Sequence, residues 1–379
     1  MSGIYLHIPF CKQACHYCDF HFSTSMRRKE EMLNAMEREI LMRKDEFAMA
    51  DRPQTAVQTI YFGGGTPSLL DPGEIGRMIS CIEDNFEVDS NAEITLEVNP
   101  DDLEADRIVE LSKTPVNRLS LGIQSFRDQD LEFMNRAHER NQALASLETA
   151  CSYFDNVSID LIYGIPGLDV NAWKTNLEQA FEFPIQHISS YALTVEPKTA
   201  LDHFIRKGKC EAPDEEQARI HFEILLEESA KRDFIHYEVS NFAKTGFFSR
   251  HNTSYWQGKP YLGIGPSAHS YAGNTRSWNV ANNAKYLKGI ERGIPDREFE
   301  TLSETDRMNE MIMTGLRTRW GLSLESFEGQ FGVDHLKKLK VRSDRFLGQG
   351  LLEVESGRLR ATKAGFFLID GIASDLFLE

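Results

Sequence analysis

Positive charge is in short supply in this sequence. Its 42 Lys and Arg stand against 58 Asp and Glu, a formal net charge of -16. A protein whose main task is to grip a nucleic-acid backbone needs a basic footprint, so no nucleic-acid partner is expected. Apolar runs long enough to span a bilayer are missing, and no intrinsic membrane segment is expected. Met1 leads almost directly into a strand-like run, without the basic and then apolar stretch of a secretory signal, so a cytoplasmic location is the default. Cysteine is scarce too: six in 379 residues cannot be the framework of a small disulfide-stapled domain. Cys81, Cys151 and Cys210 stand alone and read as ordinary buried thiols. The other three crowd into "CKQACHYC", residues 11–18. Length and an ordinary apolar and charged content predict a globular protein of one large and one small domain.

Residues 3–195 alternate short β-rich runs with longer helical patterns, the signature of repeated βα units. Strands are predicted at 4–8, 57–62, 93–98, 116–123, 157–163 and 187–193, with the longest helix between them from about Met26 to Phe47. Six strands joined by crossovers must be largely parallel, wound into a barrel or a doubly wound sheet. Either architecture gathers function at the carboxyl ends of the strands. "FGGGTPS", Glu97, Gln124, and Asp160 with "YGIPG" all fall there, and four such features from different strands are hard to ascribe to turn chemistry.

After residue 200 the alternation breaks. A helix from about Asp214 to Arg232 and a strand-like "HYEVSNF" lead into "RHNTSYWQGKPYLGIGPSAHSYAG", a loop-rich stretch suited to lining a site. "RGIPDREFETLSE", residues 292–304, reads as a linker. Beyond it, three helices and the hairpin of "LLEVESGRLRAT", turning at Ser356-Gly357, predict a winged-helix-like domain. The expected division is 1–200, 201–295 and 296–379. From Leu302 to Glu379, 11 Lys and Arg face 12 Asp and Glu, so this last domain reads as a cap or partner surface.

Cys11, Cys15 and Cys18 form C-x3-C-x2-C just after the first strand, where Pro9 ends the ladder and lets the chain curl. Spacings this short let one loop present several thiolates to one soft metal centre. A structural zinc site wants four protein ligands. His16 or His21 could supply the fourth, and zinc stays the alternative. The other reading is a 4Fe–4S cluster with three irons on cysteine and one left open.

With Tyr17 in the aromatic position, the pattern resembles the radical S-adenosylmethionine (SAM) superfamily, in which SAM chelates the open iron. "GGGTP" resembles that superfamily's glycine-rich loop beside SAM. "IYLHIPFC", "GGGTPS", "LEVNP", "LSLGIQSF", "MNRAH", "IDLIYGIPG" and "LGIGPSAHS" together resemble the oxygen-independent coproporphyrinogen III dehydrogenase family and its haem-chaperone branch, over nearly the whole chain. The resemblance implies an α/β fold: an open (β/α)6 partial TIM barrel with a small C-terminal winged-helix-like domain. It implies Cys11, Cys15 and Cys18 on the cluster, and Tyr5, Tyr17, Gly64 and Glu97 on SAM. Gly65, Thr66, Gln124, Arg136, Asp160 and Ala192 match positions that hold a second SAM in the dehydrogenase. The plainer reading of Glu97 and Asp160 is an ion pair at the barrel rim, and of Arg136 a solvated helix-end charge.

Two departures point to the chaperone branch. Phe20 stands where the dehydrogenase has a further cysteine, and only Met1 to Gly3 precede the first strand, where the dehydrogenase has an extension. "HNTSYW" also matches the chaperones' H-N-x-x-Y-W pattern, which implies His251 as a haem ligand with Tyr255 and Trp256 as flat apolar faces. The role of His269 is left undecided between structure and SAM contact. The expected function is a haem chaperone binding haem and a SAM-ligated 4Fe–4S cluster and passing haem to acceptor haemoproteins. The runner-up is an enzyme abstracting hydrogen from two propionate chains of coproporphyrinogen III, and a zinc-stabilised interaction module is third. Whether the chain forms a homodimer cannot be read from sequence.

Overall fold

The computed structural model describes residues 2–46 and 56–379. Strand β1 (Ser2–Ile8) shows how the large domain is assembled. Ile4, Leu6 and Ile8 are fully buried on one face, while Gly3, Tyr5 and His7 take the other, as the period of two requires. The apolar face is covered by helices such as Lys29–Met42, whose Met32, Leu33, Met36 and Ile40 form one buried stripe. That helix is shorter than the 26–47 expected, and Phe47 lies outside the described residues.

The strands that follow are β2 (Val57–Gly64), β3 (Val88–Val98), β4 (Arg118–Gln124), β5 (Val157–Tyr163), β6 (His187–Ala192), β7 (Ile235–Glu238), β8 (Asn241–Ala243), β9 (Tyr261–Ile264), β10 (His269–Tyr271), β11 (Thr275–Asn279) and β12 (Arg297–Thr301). All twelve form one sheet in the order β12-β11-β10-β9-β1-β2-β3-β4-β5-β6-β8-β7. From β9 through β6 every pairing is parallel. Strands β1 to β6 lie side by side in chain order, so the sheet winds one way and curls. A doubly wound sheet would reverse at a switch point. Among the described residues β1 pairs with β2 and β9, and β6 with β5 and β8, so the barrel is open.

Two expectations are corrected here. The stretch 201–295 is no separate loop-rich unit: β7 and β8 extend one flank of the sheet, β9 to β11 extend the other, and β9 is a seventh parallel strand. The expected linker at 292–304 contains β12, paired antiparallel with β11 from Arg297 to Thr301. The C-terminal unit thus begins at the helix Glu304–Leu316 rather than at 296.

That unit has its own core around Leu316, Phe327, Leu339 and Leu376. Its small sheet joins β13 (Leu322–Ser323), β14 (Leu352–Glu355) and β15 (Arg358–Ala361). The turn between β14 and β15 places Ser356 (φ 50°) and Gly357 (φ 74°) in the left-handed region that a two-residue hairpin demands. The unit closes the β7 edge of the large sheet: Val239 N–H donates to Arg317 O (2.9 Å) and Arg319 N–H to Tyr237 O (3.0 Å). Among the described residues no helix is long and apolar enough to cross a membrane.

Candidate functional site

The cysteine loop leaves the carboxyl end of β1 and is pinned at its neck, where Cys11 N–H donates to Ser23 O (3.1 Å) and Ser23 N–H to Pro9 O (2.9 Å). His7, on the lumen face of β1, donates from Nε2 to His21 O (2.9 Å). The segment after the helix Asp128–Phe133 braces the other side. His16 Nδ1 donates to Phe133 O (3.0 Å), Gln13 Nε2 to Asn135 O (2.9 Å) and Asn135 Nδ2 to Ala14 O (2.7 Å). Asn135 has a left-handed backbone (φ 56°), a turn that hands the chain on to Arg136.

Arg136 is not a solvated helix-end charge. Its Nη1 donates to Cys15 Sγ (3.5 Å) and its Nη2 to Asn99 Oδ1 (2.6 Å) and Gly122 O (3.0 Å). The Tyr17 hydroxyl also meets this guanidinium, and burial raises the phenol's pKa. The glycine-rich loop runs against the root of the cysteine loop, with Gly65 N–H donating to Ile8 O (2.8 Å). Gly64 needs its φ of +105°, and a Cβ there would lie 2.7 Å from the His7 ring. Thr66 hydrogen-bonds Cys11 and accepts from Asn99 Nδ2 (3.2 Å).

All three thiols are half-buried and free. Burial pushes Cys18 up to about 11 and raises Cys11, each aided by the neighbouring cysteines. Among the described residues no three Cys, His, Asp or Glu side chains converge at metal-ligand distance. Neither His16 nor His21 is a free further donor beside them: His16 Nδ1 is bonded to Phe133 O. His21 Nε2 is bonded to Asn283 Oδ1 (2.7 Å). Phe20 is 66% exposed.

Beside this loop the lumen is lined by one predicted residue from each of β1 to β5: Tyr5, Gly64, Glu97, Gln124 and Asp160; Ala192 on β6 is level with Tyr163 and falls on the opposite face from Asp160, which is level with Ser189. Tyr61 donates to Glu97 Oε1 (2.7 Å) and Ser120 to Asp160 Oδ1 (3.3 Å). Burial foremost, then Asp160, pushes Glu97 up to about 7, against Tyr61, the Gly64 N–H and Arg118. Asp160 is likewise raised by burial. Gln124, at the end of β4, has φ 64°, strain of the kind that collects at functional sites. Sequence reading passed over Arg118, which is 1% exposed and acts on both carboxylates. An arginine inside the apolar run "NRLSLGI" was the available signal, since a charge on a buried strand needs partners.

His251 is elsewhere. The short helix Arg250–Trp256 caps the amino-terminal mouth of the barrel, where Glu93 on β3 accepts from Arg250 N–H and His251 N–H (3.0 Å each). The His251 ring enters the barrel floor between Thr59 Oγ1 (Nδ1, 2.7 Å) and Tyr255 OH (Nε2, 2.7 Å), 4.9 Å from the Tyr61 ring. It is 2% exposed, and burial pushes its pKa down to about 3. Trp256 lies under the Arg317 guanidinium, 5.1 Å away, and holds the C-terminal unit. Both ring nitrogens of His251, the expected haem ligand, are thus bonded inside the barrel, at the end opposite the cysteine loop.

The family model described as the Radical SAM superfamily matches residues 5–180, and that of the HemN C-terminal domain residues 302–368. "Heme chaperone HemW" of Bacillus subtilis (strain 168) is 35% identical over 336 residues, covering 88% of this chain and 87% of that protein. The chain belongs to the HemW family of radical SAM proteins. Another HemW, of Lactococcus lactis subsp. lactis (strain IL1403), is 32% identical over 381 residues, 100% of this chain and 98% of the relative. The solved structure of coproporphyrinogen III oxidase (HemN) from Escherichia coli covers 99% of this chain and 90% of its own at TM-score 0.84 and 23% identity, a likeness of fold.

Radical SAM membership implies a 4Fe–4S cluster and SAM. The donor chemistry of this HemW-family loop fits the cluster: three soft ligands, a guanidinium beside Cys15, and a glycine backbone packed on the loop's root. A Cβ on Gly65 would lie 2.5 Å from Phe10 O and 2.9 Å from Ile8 O, both backbone atoms. Gly65→Ala is therefore expected to shift the loop and to reconstitute with much less iron than the parent at unchanged circular dichroism. Parent-level iron would show that the loop tolerates the shift.

The lumen carboxyl predicts a pH dependence. Glu97 in the folded chain lies above its ordinary 4.5, so between about pH 4.5 and 7 the unfolded chain releases a proton that the folded chain keeps. Its contribution makes stability fall as pH rises through that window. Glu97→Gln is expected to flatten the fall, read from urea midpoints across the window. Glu238, pushed up to about 7 by burial, keeps another part of the slope. An unaltered slope would mean that Glu97 is ionised in the folded chain.

Proposed function

We propose that this chain is a haem chaperone that carries a SAM-ligated 4Fe–4S cluster and hands haem to acceptor haemoproteins. The observation that carries this reading is the 35% identity to "Heme chaperone HemW" across 88% of this chain and 87% of that protein. Phe20 in the cysteine loop, in place of a further thiol, agrees with it. Cys11, Cys15 and Cys18 hold the cluster. Arg136 steadies Cys15 by a charge-assisted bond. Gly64 lets backbone approach the cluster-bound SAM, with Tyr5, Tyr17 and Glu97 beside it, and Gly65, Thr66, Gln124, Arg136, Asp160 and Ala192 are the positions that match the dehydrogenase's second SAM. The Glu97 carboxyl, which burial pushes up to about 7, accepts hydrogen bonds from an ammonium or a ribose hydroxyl, and when protonated donates one to a ribose oxygen. When bound, the cluster supplies the electron that SAM chemistry needs.

The test pairs two assays on one anaerobically reconstituted preparation. The chaperone reading expects stoichiometric haem binding, transfer to an apo-haemoprotein, and no protoporphyrinogen IX from coproporphyrinogen III. Protein that binds no haem would overturn it. Porphyrinogen turnover would put the enzyme reading in its place.

A further inference from the structure

Strands β9 to β11 carry a second wall of the lumen, and register decides which side chains face it. Tyr261 pairs with Gly3, whose Cβ position looks at Thr59 and the His251 ring, so Tyr261 points inward. Its ring meets Tyr255 (centroids 4.4 Å) and Tyr271 (6.2 Å), its partner across β10. Two residues before Tyr271 and on the same face stands His269, paired with Trp278. Their rings stack at 5.7 Å and 23°.

The glycines of "LGIGPSAHS" make this placement possible. A Cβ on Gly263 would lie 2.0 Å from His269 O, and one on Gly265 (φ +101°) 2.6 Å from His7 O. Only bare backbone lets β10 fold back this tightly on β9. His269 is exposed, and among the described residues neither of its ring nitrogens has a hydrogen-bond partner. Tyr261, Tyr271 and Trp278 are each only half-buried. His269 sits close enough to His7 to disfavour that ring's charged form, which places it at the cysteine end of the lumen. Burial and Arg276 lower its own pKa, so the imidazole is neutral, the form that binds metals.

We infer that this wall is the docking face for haem, with the aromatic rings of Tyr261, Tyr271 and Trp278 against the macrocycle and His269 as the axial nitrogen ligand. The inference rests on the haem-chaperone reading and specifies its site. A flat, largely apolar macrocycle wants aromatic faces beside one open imidazole. His269 has that setting and His251 does not.

Haem is titrated into the purified full-length chain, its His269→Ala and His269→Gln variants, and His251→Gln. Wild type is expected to show the Soret band of an imidazole-ligated haem. Both His269 variants lose that signature and bind at least about tenfold more weakly, a loss of about 1.4 kcal/mol, and added imidazole restores the spectrum. His251→Gln keeps the wild-type spectrum. Trp278→Ala is expected to weaken binding without changing the ligation signature. If the His269 variants match wild type, or if His251→Gln alone loses the band, the inference is overturned while the chaperone reading stands. Wild type that binds no haem overturns the chaperone reading itself.

Discussion

Replacing any one of Cys11, Cys15 or Cys18 with Ala is expected to abolish the iron–sulfur chromophore, leaving iron and sulfide after anaerobic reconstitution at a small fraction of the parent. His16 and His21 are engaged with Phe133 O and Asn283. With Phe20 where a further thiol would stand, the loop holds no fourth cysteine to take the place of a lost one. The internal control is Ala at Cys81, Cys151 or Cys210, isolated thiols remote in sequence from the loop, which should leave iron content unchanged. Full iron in a Cys15→Ala protein would show that Cys15 is not a ligand.

The second large effect is on stability, away from the site. Arg43 and Glu39 are buried at 2% and 0% side-chain exposure and meet at 2.8 Å. Arg43 also donates to Gly263 O (2.6 Å) and Ser270 Oγ (2.9 Å). Glu39 accepts from Gly265 N–H (2.8 Å), Asn279 Nδ2 (2.8 Å) and Tyr286 OH (2.7 Å). This network bolts the first helix of the barrel to β9, β10, β11 and the helix Asn283–Glu291. Arg43→Met removes the cation and leaves a buried carboxylate, a change that costs about 3–5 kcal/mol. The measurement is the urea midpoint, and the double variant Glu39→Gln/Arg43→Met should recover part of the loss. A single variant as stable as the parent would mean that Glu39 is neutral or hydrated once the arginine is gone. The same network supports the turn that orients His269, so Arg43→Met should also weaken haem binding on the wall proposed for it.

How much was legible in advance depends on the reach of each signal. The six barrel strands could be read because an apolar face alternating with a polar one is written into a few consecutive residues, as in Ile4, Leu6 and Ile8 against Tyr5 and His7. The cysteine motif could be read for the same reason, since three ligands within eight residues need no tertiary information to share a loop. "YLGI" was too short, and too full of glycine, to stand out as a strand. It became β9 only by pairing in parallel with β1, more than 250 positions earlier in the chain. Arg136 looked like a helix-end charge because its partners Cys15, Asn99 and Gly122 lie 14 to 121 residues away.

By itself, then, the sequence determined the barrel strands, the thiol loop, the glycine backbone beside it and the family, all carried by local spacing and by motifs within single elements. Only the tertiary structure decided which end of the barrel each histidine occupies. Read as text, "HNTSYW" offered His251 as a haem ligand, while His269 in "PSAHS" stayed undecided between structure and SAM contact. The short helix that caps the barrel mouth sends His251 to the floor, bonded through both nitrogens, while strand register leaves His269 facing the lumen. The physical reason is that a side chain's availability to a metal depends on what long-range packing places against its nitrogens, and no local pattern encodes that.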